Sequence, residues 1–333
     1  MRSWVMSWIA IGALASGCGD GLAVIADALV ADNGRSLNGR SLNGRSLNGR
    51  SLNGPTLAGE LPGGIQIVGV WVEGSALHAA TDNGAELEGD ELVGARLEGT
   101  LRDGTAVTLV VSEVRAREPD VLAHSISFVA GDEEPGWVCG LAGDGRPIGA
   151  VPLAGAWDYG EGTPTGGSRV DDPDAITFAC EDGALGKCVE LGYRPWSSVE
   201  ERLGRRTHLV ALAELHQACT RALRADYCGD GMSHTLADVE IDLWDGVGVQ
   251  GREPSRPGRW AFEAEWTIGG ASCVRRERIA DTGAREYVEE RCPERWTDEP
   301  ADPCGTRRSD MYAPVGFDAD LGTRTLLMNE VPR

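Results

Sequence analysis

Between residues 59 and 130 the chain alternates short apolar runs with glycine-rich or polar turns. Ile65–Val72, Ala106–Val111 and His124–Val129 are rich in β-branched residues and bounded by turn formers. That pattern predicts strands, and together they predict a small β unit over 59–130. The acidic, proline-containing stretch Asp132–Gly136 then reads as a boundary, with a second unit over 137–333. In that unit Ala175–Cys180 and Cys188–Tyr193 read as a hairpin turning through Glu181-Asp182-Gly183. Val239, Ile241 and Leu243 alternate as a strand. Trp260–Ile268 also alternates, which predicts a half-buried strand with its even positions inward and Glu263 and Glu265 outward. Leu209, Leu212, Leu215, Cys219 and Ala222 recur at three- and four-residue steps, predicting one main helix over about 207–224. The expected fold class is α+β, mainly β, with a disulfide-rich C-terminal domain built around that helix.

A different period governs the N-terminal third. RSLNG occurs four times over residues 35–54, and leucines fall at 37, 42, 47, 52 and 57. A second five-residue period follows at Leu87, Leu92 and Leu97. Period five suits neither a helix nor an ordinary strand. It resembles the pentapeptide-repeat family, whose square β-helix turns a central leucine inward together with a small residue two positions earlier. Ala85 and Ala95 fit that inner place. Arg35, Arg40, Arg45 and Arg50 do not, because a buried guanidinium without a partner is costly. Residues 35–58 are therefore read as a flexible spacer, with a partial β-helix as the other reading.

The amino terminus adds an address. Arg2 precedes an apolar stretch from Trp4 to Leu14, the length of a signal-peptide core and short of the roughly 20 residues a spanning helix needs. Leu14-Ala15-Ser16-Gly17-Cys18 resembles a bacterial lipobox. Residues 1–17 are thus expected to be a lipoprotein signal peptide, Cys18 the lipidated residue and 18–34 a tether. This places the protein on the cell envelope, on the outer membrane or facing the periplasm.

Of nine cysteines, eight remain once Cys18 is set aside: Cys139, Cys180, Cys188, Cys219, Cys228, Cys273, Cys292 and Cys304. None forms a C-x-x-C pair, so zinc ribbons and thioredoxin-like sites are not indicated. In an exported protein the expectation is four disulfides, with the pairing open. A formal charge of -21 argues against nucleic acid as a partner.

Arg224-Ala225-Asp226-Tyr227-Cys228-Gly229-Asp230-Gly231, followed by Ser233-His234-Thr235, is similar to the ADYC-domain family of secreted or lipid-anchored bacterial proteins. Gly155–Asp158, Thr177–Cys180, Lys187–Val189, Gly192–Trp196, His216–Cys219 and Phe262–Trp266 extend the resemblance over roughly 137–295. The resemblance implies no activity.

The densest polar cluster is His216, Cys219, Asp226, Cys228, Asp230 and His234. One reading is a metal site using His216, Cys219, His234 and a carboxylate. A second pairs a cysteine nucleophile with His234. The third makes the cysteines disulfides and Asp226 and Tyr227 anchors of the helix end, and an oxidising compartment favours it. Asp171, Asp172 and Asp174, and Asp318 and Asp320, could hold calcium weakly, but no EF-hand loop is present. No common hydrolase, metalloprotease, phosphate-loop or dinucleotide motif occurs. The sequence therefore favours a non-catalytic binding module for a protein or glycan, displayed on the membrane through Cys18, with no cofactor or metal. The alternative is an enzyme or metal-binding protein using the His216/Asp226/His234 region.

Overall fold

The computed structural model describes residues 49–53, 57–100, 106–130, 135–170, 172, 174–203, 206–236, 239–252, 259–280, 282–298, 304 and 325–333. Cys18, the signal and tether segments, most of the RSLNG spacer and Asp171, Asp318 and Asp320 lie outside them.

Antiparallel strands dominate. The largest sheet has 11 strands. Its path begins with β1 (Gly49–Asn53), β13 (Ala175–Cys180), β10 (Ala150–Ala154), β8 (Val121–Ala130) and β7 (Ala106–Glu118). It continues through β6 (Arg96–Thr100), β2 (Ala58–Leu61), β3 (Ile65–Glu73), β4 (Ala76–Thr81) and β5 (Glu86–Glu88), with β9 (Gly136–Trp137) paired to β8. Leu61, Val70, Leu97, Leu109 and Phe128 share one apolar core with Ile176 and Phe178 from the cysteine-rich half. The strands before residue 130 are thus not a separate small unit; β10 and β13 complete their sheet.

A second sheet of four strands runs β16 (Asp242–Asp245), β19 (Leu327–Pro332), β17 (Trp260–Thr267), β18 (Gly270–Val274). Leu215, Ala218, Ala222, Trp266, Leu327 and Met328 close its core. Two small ladders pair β11 (Ala156–Trp157) with β12 (Arg169–Val170), and β14 (Ser198–Leu203) with β15 (Arg206–Ala211).

The expectation of an α+β fold with one main helix is corrected to a mainly β fold with three short α-helices among the described residues. These are α1 (Ala184–Glu190), α2 (Leu212–Arg224) and α3 (Ala284–Arg291). The helix expected from residue 207 starts at Leu212, because Arg206–Ala211 pairs residue for residue with Ser198–Leu203. Leu209, counted on the helical face, is 73% exposed on that hairpin. The expected strand at Cys188–Tyr193 is instead the last turn of α1, Cys188–Glu190, followed by a turn, and the helix is buried at every position from Ala184 to Val189. The second pentad stretch is likewise no parallel β-helix coil. Glu86–Glu88 is a strand, Gly89–Leu92 a 3-10 turn, and Arg96–Thr100 an antiparallel strand, with Leu92, Ala95 and Leu97 buried but Ala85 exposed.

All eight described cysteines are paired: Cys139–Cys180, Cys188–Cys219, Cys228–Cys292 and Cys273–Cys304. Four disulfides point to an oxidising, extracellular environment. No helix among the described residues is long and apolar enough to cross a membrane.

Candidate functional site

Helix α2 ends in Ala225, whose left-handed φ of 50° lets the Asp226 N–H reach back to the Arg221 carbonyl at 3.0 Å. The turn that follows is held by the Asp226 carboxylate. It accepts from the Asp230 and Gly231 N–H groups at 3.1 and 3.0 Å and forms an ion pair with the buried Arg221 guanidinium. Arg221 also donates to the Gly166 carbonyl at 2.6 Å and the Ser168 hydroxyl at 2.8 Å, tying the loop before β12 to the helix end. Gly229 has φ 71°, and a Cβ there would stand 1.8 Å from the Gly269 carbonyl oxygen, so only glycine lets the two turns meet.

Tyr227 opens a second buried network. Its hydroxyl donates to Glu263, which accepts from Arg278 at 3.0 and 3.1 Å and from the Asn329 amide at 2.5 Å. Arg278 also donates to the Ala222 and Leu223 carbonyls at 2.7 and 3.1 Å, the open end of α2. Burial, followed by the charge of Glu263, holds the Tyr227 hydroxyl well above its ordinary pKa. Glu263, expected to face outward, and Arg278, which the sequence did not single out, are wholly buried. The alternation that predicted an outward Glu263 and Glu265 breaks at two register shifts in β17, between Phe262 and Ala264 and between Glu265 and Trp266. From Glu263 onward the strand is buried at every position.

The residues of the expected polar cluster are not assembled around a common ligand. His216 is buried against the Leu185 carbonyl, with a ring nitrogen at 3.0 Å, and packs edge-on to Trp157. Desolvation lowers its pKa to about 4. Cys219 is bonded to Cys188 on α1, and Cys228 to Cys292 after α3. His234 stacks on Tyr227 and tilts against Tyr287, whose hydroxyl donates to Asp230 at 2.7 Å. Burial lowers the His234 pKa, opposed by Asp226 and Asp230. Neither thiolate reading has a thiolate to use. Among the described residues, the one grouping of metal-ligand type is Glu265 with Cys273 and Cys304, and those two sulfurs are bonded to each other.

The open chemistry lies elsewhere. A cavity of about 280 Å³ opens between the tip of β7–β8, β10 and α1, with Val121, Val151 and Val189 as apolar wall and Arg117, Glu118, Glu181 and Glu190 as polar wall. Arg117 pairs with Glu181, whose second oxygen accepts from the Gly149 N–H at 3.0 Å. Arg194 clamps Glu118 and Asp120. That leaves Glu190, at the mouth, with no ion pair among the described residues. Its pKa is raised, first by desolvation and then by the neighbouring Glu181. In sequence these acids are 118, 181 and 190, too far apart to signal a site; only the packing of α1 under the hairpin gathers them.

The family model described as the ADYC domain matches residues 89–280, more than half of the chain. The match begins within the large sheet, ahead of the cysteine-rich half where the sequence resemblance started. No curated protein and no solved structure matches the chain.

Proposed function

The chain belongs to the ADYC domain family, and from that premise we propose that it is an exported, non-catalytic binding module carried on a lipid anchor at Cys18. Its ligand presents a small cationic group, an ammonium or guanidinium on a protein or glycan, to the cavity beside Glu190. One observation carries this reading: the motif's Asp226 and Asp230 carboxylates are taken up within the fold, by Arg221 and the turn amides and by Tyr287, whereas Glu190 beside the cavity makes no ion pair among the described residues. A cation entering there would meet Glu190 and Glu181 across a partly desolvated gap, with three valines to cover its aliphatic stem.

Titration of the full folded chain with an alkylguanidinium or alkylammonium probe tests it. Saturable amide shifts at Gly186–Glu190 are expected, strengthening as pH rises through the Glu190 titration and lost in Glu190→Gln. Their absence, or shifts unchanged in that variant, overturns the cavity as the ligand site. The anchor is tested apart from this. Cys18→Ser should move the protein from the membrane pellet to the soluble extract, and retention in the pellet would remove the lipid from the account.

A further inference from the structure

Strand β1 is itself one copy of the repeat. Gly49-Arg50-Ser51-Leu52-Asn53 pairs antiparallel with β13, Gly49 opposite Ala179 and Asn53 opposite Ala175, at one end of the large sheet. The same five residues stand at 34–38, 39–43 and 44–48, and each copy is also preceded by asparagine and followed by glycine. A slip of one residue would ordinarily move every side chain to the opposite face, and this is what fixes strand register. A slip of five restores the same side chain at every place along β13. Nothing in the edge distinguishes one copy from the next.

We propose that the outer edge of β13 is a docking strand for GRSLN, and that the pentads of this chain compete for it, Gly44–Asn48 being the principal alternative to Gly49–Asn53. What separates the registers is the loop to β2. It spans residues 54–57 when the observed copy is docked and 49–57 when its neighbour is. The loop roughly doubles, which on the weak length dependence of loop closure disfavours the slipped register only about threefold. Main-chain pairing to an open sheet edge supplies the attraction, as in peptide addition to a sheet. Each slip transfers five residues from the upstream chain to the loop, shortening the reach of that chain by roughly 17 Å when extended. The repeat thus works as an adjustable length of leash, and this holds whatever lies upstream.

Hydrogen exchange of the β13 amides in the full chain tests the proposal, using prolines that block both pairing parities of a pentad. Ser51→Pro with Leu52→Pro blocks only the observed copy. β13 should then keep its protection to within a severalfold change, the next copy taking the place. The same pair of prolines in all four pentads should abolish the β1-dependent protection while the β7–β8 amides remain protected, which shows that the domain is still folded. Loss in the single-copy variant equal to that in the four-copy variant would overturn the proposal, because the register would be unique. Protection that persists in the four-copy variant, or that depends on protein concentration in the single-copy variant, would also overturn it. The first would remove the pentads from the edge, and the second would assign the strand to another molecule.

Discussion

The Tyr227 hydroxyl and the Glu263 carboxylate lie 2.9 Å apart at the centre of a polar network that has no open end. Tyr227 also accepts the Arg278 N–H at 2.9 Å, and its ring stacks on Trp266, whose indole N–H donates to Asn329 at 2.8 Å. Asn329 in turn donates to Glu263. Helix α2, the second sheet and the chain after β18 meet at this point.

Removing one member should therefore cost far more than its own hydrogen bond. Glu263→Ala leaves the Arg278 guanidinium buried without its counter-ion, and a loss of roughly 3–5 kcal/mol is expected. Tyr227→Phe keeps the ion pair but leaves the Arg278 N–H unsatisfied, for a loss of about 1–3 kcal/mol. Denaturant unfolding of the two variants checks the order. Equal losses would mean that the ion pair adds nothing beyond the hydroxyl's bonds.

How much of this was legible in the sequence differs from feature to feature. The strands before residue 130 announce themselves through β-branched runs, and helix α2 through its three-and-four spacing, because each period reflects a local geometry. The start of α2 was not legible, since Leu209 continues the helical count while its partner strand, 198–203, is a tertiary fact. Glu263 was misread for a related reason: alternation assumes an unbroken ladder, and the register shifts in β17 depend on β18 and β19. Participation of the cysteines in bridges followed from compartment and count, whereas the pairing required the fold. The cavity acids are separated by up to 72 positions, from Glu118 to Glu190, and no local pattern joins them.

The two deeply buried histidines set an acid limit on stability. Burial depresses the pKa of both His124 and His216 from 6.5 to about 4. Between those values the unfolded chain binds more protons than the folded one, so stability falls as pH drops from 6.5 towards 4 and the loss is complete below both pKa values. Each histidine contributes on the order of 3 kcal/mol to that fall. His216→Gln, which can still bond the Leu185 carbonyl, should be less stable at neutral pH yet show a flatter stability curve between pH 6.5 and 4. Chemical denaturation across that range measures the slope, and a slope matching the wild type would remove His216 from the account.

Glu190 behaves in the opposite sense. Its raised pKa means that the folded state favours the protonated carboxyl, so stability is lost as pH rises above the ordinary carboxylate value. Glu190→Gln should raise the melting temperature slightly at pH 7 and leave it unchanged at pH 4. Glu181→Gln should bring the Glu190 titration, followed by carboxyl NMR shifts, down towards the usual range of about 4.3 by removing the like charge. A Glu190 titration indifferent to Glu181 would place the whole effect in desolvation.

The four disulfides should differ in their access to reductant. Their sequence separations, 31 to 64 residues, translate into nearly the same entropic stabilisation, close to 4 kcal/mol each on the loop-closure account, so loop length does not rank them. Burial does. Cys188 and Cys219 are both 0% exposed between α1 and α2, and Cys139 and Cys180 are at 3% and 1%. Cys228 and Cys273, by contrast, are only half-buried. A dithiol under native conditions has to reach a sulfur in line with its bond, which the two half-buried bridges allow and the two inner ones permit only after local unfolding. Mild reduction followed by alkylation and peptide mass spectrometry should therefore label Cys228–Cys292 and Cys273–Cys304 first and Cys188–Cys219 last. If Cys188 and Cys219 were labelled early, α1 would have to separate from α2 more readily than their shared apolar core allows, and the cavity that α1 helps to form would lose its rigid wall.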